Sequence, residues 1–80
     1  MLEAYVLINT EAGRLWEVAE NTRKIQGVKM SHAVTGEYDV IVFIEFLRIE
    51  ELSKIIDTIQ STDGVRRTHT AIAMAQRLSY

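Results

Sequence analysis

The sequence predicts an α+β domain built from two strand–helix–strand units, and three observations carry that expectation. The chain repeats itself at an offset of 37 residues. Each repeat holds one apolar stripe at helical spacing. Two runs, Ala4–Ile8 and Val40–Phe46, are apolar on both faces, as strands buried on both sides are.

The first unit opens with the strand Ala4–Ile8 and continues into a helix with Leu15, Val18, Ala19 and Thr22 on one face. The second opens with Val40–Phe46 and places Leu52, Ile55, Ile56 and Ile59 at the corresponding positions. Each helix is followed by a glycine suited to a left-handed C′ position and a valine that starts a strand: Gly27-Val28-Lys29 and Gly64-Val65-Arg66. His32 falls on His69, outside either helix. The closing strands are Val28–Thr35 and Arg66–Met74, whose Lys29, Ser31, His32, Arg66, Arg67 and His69 suit sheet edges. The short connection Thr35–Asp39 is a hairpin. The order is therefore β-α-β-β-α-β, a ferredoxin-like arrangement with a four-stranded antiparallel sheet and the first and third strands central. The expected form is the dimeric α+β barrel type, because two helices cover one sheet face only. On the other face Tyr5, Leu7, Ile41 and Phe43 need a cover, and a second copy of the chain is the natural one. Leaving four such side chains bare forgoes ~6–12 kcal/mol, at ~1.5–3 each.

Eighty residues make one domain, 1–80. There are no cysteines, so no disulfide or thiolate metal site holds it. A net charge of −2 offers no footprint for nucleic acid or an anionic membrane. No apolar run approaches the roughly 20 residues of a membrane span, and the first residues lack a basic region. The expected location is cytoplasmic.

Candidate chemistry is sparse. His32 and His69 are two potential metal ligands without a third, which is more simply a pair of edge-strand histidines. Ser31, Ser53, Ser61 and Ser79 lie in no nucleophile elbow. Glu50, Glu51, Lys54 and Asp57 read as a solvated helix face with one i, i+4 pair, Glu50–Lys54. Tyr5 and Phe43 are placed as stacking aromatics of an RNA-recognition sheet are, but the acidic balance and the missing glycine-aromatic signature oppose that role. No catalytic residue, metal site or cofactor is expected.

The densest chemistry is Thr35-Gly36-Glu37-Tyr38-Asp39, which opens directly into the most apolar strand. Ordinary turn chemistry explains the glycine and the aspartate. The group also meets the needs of a zwitterion: backbone N–H groups around Gly36 for a carboxylate, Asp39 for an ammonium, and Tyr38 as a wall.

The string Val34-Thr35-Gly36-Glu37-Tyr38-Asp39-Val40 resembles the Thr-Gly-acidic-aromatic-Asp segment of the Lrp/AsnC (feast/famine) transcription regulators, in their effector or RAM domain. The similarity covers essentially the whole chain. It implies a ferredoxin-like fold, dimers joined through their sheets, rings of dimers (octamer or decamer), and an amino acid bound between dimers near this hairpin. By this resemblance the ligand-binding residues are Gly36, Tyr38 and Asp39, joined by Thr70, Ala71 and Ile72 of the last strand. The family's helix-turn-helix has no counterpart here, so the chain looks like a stand-alone effector domain without DNA binding of its own, one that joins full-length regulators.

Three functions compete on this reading. The first is an amino-acid-binding and oligomerisation module linked to regulation of amino-acid metabolism or transcription. The alternative is a small dimeric α+β barrel enzyme, of isomerase or monooxygenase type, using His32 or His69. The third is an oligomerisation partner without a ligand.

Overall fold

A computed structural model describes residues 1–74 of the chain. The elements are β1 (Leu2–Thr10), α1 (Leu15–Arg23), β2 (Val28–Ala33), β3 (Val40–Phe46), α2 (Ile49–Gln60) and β4 (Val65–Ile72). They form one antiparallel sheet in the order β2-β3-β1-β4, so the two most apolar strands are indeed central.

The barrel part of the expectation is not met. β2 and β4 are opposite edges of the sheet and do not pair, so the sheet stays open. Strands with two apolar faces look alike in sequence whether the sheet closes or is covered. Closure needs pairing between edges, which apolarity does not encode.

One face is sealed by the helices. Ala4, Val6, Ile8, Val40, Val42 and Ile44 are fully buried beneath Val18, Ala19, Leu52, Ile55 and Ile59. Thr22 joins this layer because its hydroxyl bonds the Val18 carbonyl at 2.8 Å and the Ser31 hydroxyl at 2.8 Å, so burial leaves no polar atom unsatisfied. The alternating residues face the other way: Tyr5 stays 40% exposed, and its ring lies 5.2 Å from that of Phe43.

The glycines sit deeper in their turns than a helix cap. α1 ends at Arg23 and α2 at Gln60, and each is followed by a second turn closed by Val28 N–H to Ile25 O or Val65 N–H to Thr62 O. Gly27 (φ +98°) and Gly64 (φ +95°) occupy the third position of these turns, where a positive φ is required. At the start of α2, Glu51 accepts hydrogen bonds from the N–H groups of Leu47 (2.7 Å) and Arg48 (3.4 Å). Those bonds, Leu47's first, hold its carboxyl below the usual range. The Glu50–Lys54 pair is not among the ion pairs of the described residues.

Candidate functional site: the β2–β3 hairpin

The hairpin is pinned to β1 at three points. Asp39 N–H donates to Ile8 O at 2.8 Å, continuing the β1–β3 ladder past Ile8 and Val40. Its carboxylate Oδ2 then accepts from Thr10 N–H at 2.8 Å and from Thr10 Oγ1 at 3.3 Å. Asn9 Nδ2 donates to Glu37 O at 2.9 Å. Asp39 is thus a turn-closing acceptor, and one of its two oxygens is committed to the fold. Gly36 has φ +112°, a conformation costly for any other residue, although a Cβ there would touch nothing within 4 Å.

β4 completes the corner. The Tyr38 and His69 rings meet edge to face, centroids 5.7 Å apart. Arg67 Nη2 reaches Asn9 Oδ1 at 3.4 Å, a long bond to a guanidinium that has no ion pair among the described residues. The N–H groups of Gly36, Glu37 and Tyr38 find no protein acceptor among the described residues. Consecutive N–H groups of this kind suit an anion such as a carboxylate.

Gly36, Tyr38 and Asp39 therefore come together on one hairpin. Thr70, Ala71 and Ile72 do not join them within one chain. They pair with Val6, Tyr5 and Ala4, so Ala71 lies roughly 13 Å further along the sheet than Arg67, at ~3.3 Å per residue. Thr70 and Ile72 face α2, in a shallow groove with Ile49, Ser53 and Ile56. The residues of β4 beside the hairpin are Arg67 and His69. Sequence reasoning missed Asn9 and Thr10 altogether, since nothing in their local pattern marks a bond to residues 28 or 29 positions away.

The best-formed clefts lie elsewhere. One, of about 510 Å³, opens between Ile25, Gln26 and Gly27 and the Glu51, Lys54, Ile55 and Thr58 face of α2. His32 and His69 stand at opposite edges of the sheet, three strand spacings or ~14 Å apart, so one chain cannot join them on a metal. No group of three or more metal-ligating side chains occurs among the described residues, and none of their helices is long and apolar enough to cross a membrane. Ser79 lies outside the described residues.

Comparison with known proteins bears on the chain as a whole. Residues 3–79 match the family model described as the Lrp/AsnC ligand binding domain. The HTH-type transcriptional regulator FL11 of Pyrococcus abyssi is 39% identical over 71 residues, 89% of this chain and 47% of the regulator. The regulator LysM of Sulfurisphaera tokodaii is 34% identical over 58 residues, 72% of this chain and 41% of its own length. The chain thus spans about half the length of the curated relatives it matches. Solved structures of similar length also match. TTHA0845 of Thermus thermophilus superposes with a TM-score of 0.91 at 30% identity, covering 98% of this chain and 99% of that one. PHS023 of Pyrococcus horikoshii gives 0.84 at 34% identity, covering 95% and 93%. The Neisseria meningitidis regulator NMB0573, solved as a complex with L-Met, gives 0.80 at 26% identity, covering 94% of this chain and 51% of the regulator. The FL11, LysM and NMB0573 proteins are transcriptional regulators, which speaks against the small-enzyme alternative. The chain belongs to the Lrp/AsnC ligand-binding domain family.

Proposed function

We propose that this chain is an amino-acid-binding effector and oligomerisation module that acts in regulation without contacting DNA itself. The observation that carries the reading is the row of acceptor-free N–H groups at Gly36, Glu37 and Tyr38 on a hairpin held rigid by Asp39 and Asn9. A carboxylate can dock there at little entropic cost because the donors are already ordered. Tyr38 and the free oxygen of Asp39 would receive the rest of the ligand. That a related regulator was crystallised with L-Met supports an amino acid as the ligand class.

The hairpin has one wall only, so the pocket is completed by another copy. Thr70, Ala71 and Ile72 of a neighbouring chain are the residues we assign to that second wall. Dimers assembling into a ring of octamer or decamer size would supply it. Since the chain matches about half of each curated regulator, mixed assembly with full-length relatives is the route by which it would reach transcription.

A thermal-shift screen of the 20 amino acids tests the reading. A binder present at 100 times its Kd raises stability by ~2.7 kcal/mol. No shift with any amino acid at millimolar concentration would remove the amino-acid part of the proposal. Phe43→Asp should separately yield monomer or insoluble protein, because it sets an unpaired charge on the apolar sheet face.

A further inference from the structure

The 37-residue repeat gives the molecule two equivalent seams, each crossing a glycine. At the first, Arg14 lies over Gly64: a Cβ on that glycine would stand 3.1 Å from Arg14 Cβ and 3.5 Å from its guanidinium carbon. The guanidinium binds Glu17 at 2.6 Å and Asp63 at 2.8 Å, so a charged group on an apolar stem fills this seam. At the second seam the corresponding residues are Glu51, Lys54 and Gln26, and the signs are reversed. An acid stands where the arginine was, and a cation stands where its partner Glu17 was.

The acid does not fill its seam as the arginine does. Glu51 turns Oε1 back to the N–H groups of Leu47 at 2.7 Å and Arg48 at 3.4 Å, capping α2. Lys54 has no ion pair among the described residues. Over Gly27 the space stays open as the cleft of about 510 Å³, floored by Ile25 and Ile55 and within the size range of ligand pockets.

We propose that this cleft binds a small carboxylate with a short branched apolar tail, its charge on Lys54 and Gln26 and its tail on Ile25 and Ile55. The charge follows from the reversed seam. The Lys54 ammonium and the Gln26 amide offer N–H donors where Glu17 and Asp63 offer acceptors. The tail follows from the floor, whose apolar side chains lack the stem that Arg14 lays across the other seam. A free amino acid is the wrong occupant, because its α-ammonium would bring a second cation against Lys54.

Two acids also line the cleft. The charge of Glu51 is met by its two N–H donors and by the start of α2. Glu45 alternates with the buried Ile44 and Phe46, so its side chain points to the helix-free face. Glu45 is also ~16 Å along β3 from Val40, at ~3.3 Å per residue, which sets the cleft apart from the hairpin. The proposal therefore stands or falls independently of the hairpin's ligand.

Titration of isovalerate into the isotope-labelled chain, followed by backbone amide NMR, tests it. Saturable shifts are expected at Gln26, Gly27 and Ile55. Lys54→Met should weaken binding roughly ten- to a hundredfold while leaving the melting temperature unchanged. Acetate, the charge without the tail, should bind roughly tenfold more weakly or worse. Isopentylamine, the same skeleton with the opposite charge, should not produce these shifts. Saturation confined to the hairpin amides, or none at tens of millimolar isovalerate, overturns the site. An affinity unchanged by Lys54→Met overturns the role of its charge, acetate binding as tightly overturns the tail, and equal binding of the amine overturns the ligand class.

Discussion

Gly64 lies against Val18 of α1, and Gly27, its counterpart 37 residues earlier, lies against Ile55 of α2, the counterpart of Val18. The backbone is repeated, but the finish of the two seams is not. Over the Gly64 seam Arg14 binds Glu17 at 2.6 Å and Asp63 at 2.8 Å, latching the start of α1 to the turn before β4. At the Gly27 seam the corresponding positions are Glu51, Lys54 and Gln26. Glu51 is turned back to cap α2, and the space stays open as the cleft of about 510 Å³. The repeat keeps the glycine that each crossing requires and leaves the surrounding side chains free to make a latch or a cleft.

The largest effect should come from the glycines. Both have positive φ, so alanine costs ~1–2 kcal/mol at either position. At Gly64 the new Cβ would also meet Val18 Cγ2 at 2.9 Å and Arg14 Cβ at 3.1 Å, both short and fixed. At Gly27 it would meet Ile55 Cδ1 at 2.5 Å, the far end of a side chain that can swing into the open cleft. Overpacking adds ~1–3 kcal/mol where nothing yields. Urea melts should therefore rank Gly64→Ala below Gly27→Ala in stability, and equal losses would erase the distinction between the seams.

A smaller effect belongs to acid. Arg14, through its hydrogen bonds, holds the Glu17 and Asp63 carboxyls below their ordinary range. Their unfolded forms bind protons more readily, so this stabilisation is present at pH above ~4 and is lost as pH falls through the folded values. Glu51 behaves with the same sign, through N–H groups rather than a cation. Arg14→Ala should thus reduce the gap between melting temperatures at pH 7 and pH 3, and added salt should reduce it further in the parent than in the variant. The smallest effect is Lys54→Met, with an unchanged melting temperature, since Lys54 has no ion pair among the described residues.

The sequence made these seams visible because a glycine-valine pair at a fixed offset reports backbone shape directly. The strand order and both helices were legible for the same local reason, through spacing. β1 proved longer than Ala4–Ile8 because Leu2, Glu3, Asn9 and Thr10 carry no apolar alternation, yet still complete ladders with β3 or β4. Gly36, Tyr38 and Asp39 could be singled out together because they are adjacent. The bonds that fix them could not, since Thr10, Asn9, Arg67 and His69 arrive from distant strands through a register that no short window contains. The fate of Asp39 was open for that reason, and the structure assigns its Oδ2 to Thr10. Replacing Asp39 by alanine should consequently lower the melting temperature, which makes it a blunt probe of binding.

A sharper probe compares the hairpin with the cleft beside Gly27, the two places where a small molecule could settle. Backbone amide NMR shifts, followed while the best amino acid from the thermal-shift screen is titrated in, report on both at once. The account predicts the largest shifts at the N–H groups of Gly36, Glu37 and Tyr38, with Gly27, Lys54 and Ile55 unmoved. Saturable shifts centred on Gly27, Lys54 and Ile55, with the hairpin amides unchanged, would contradict it.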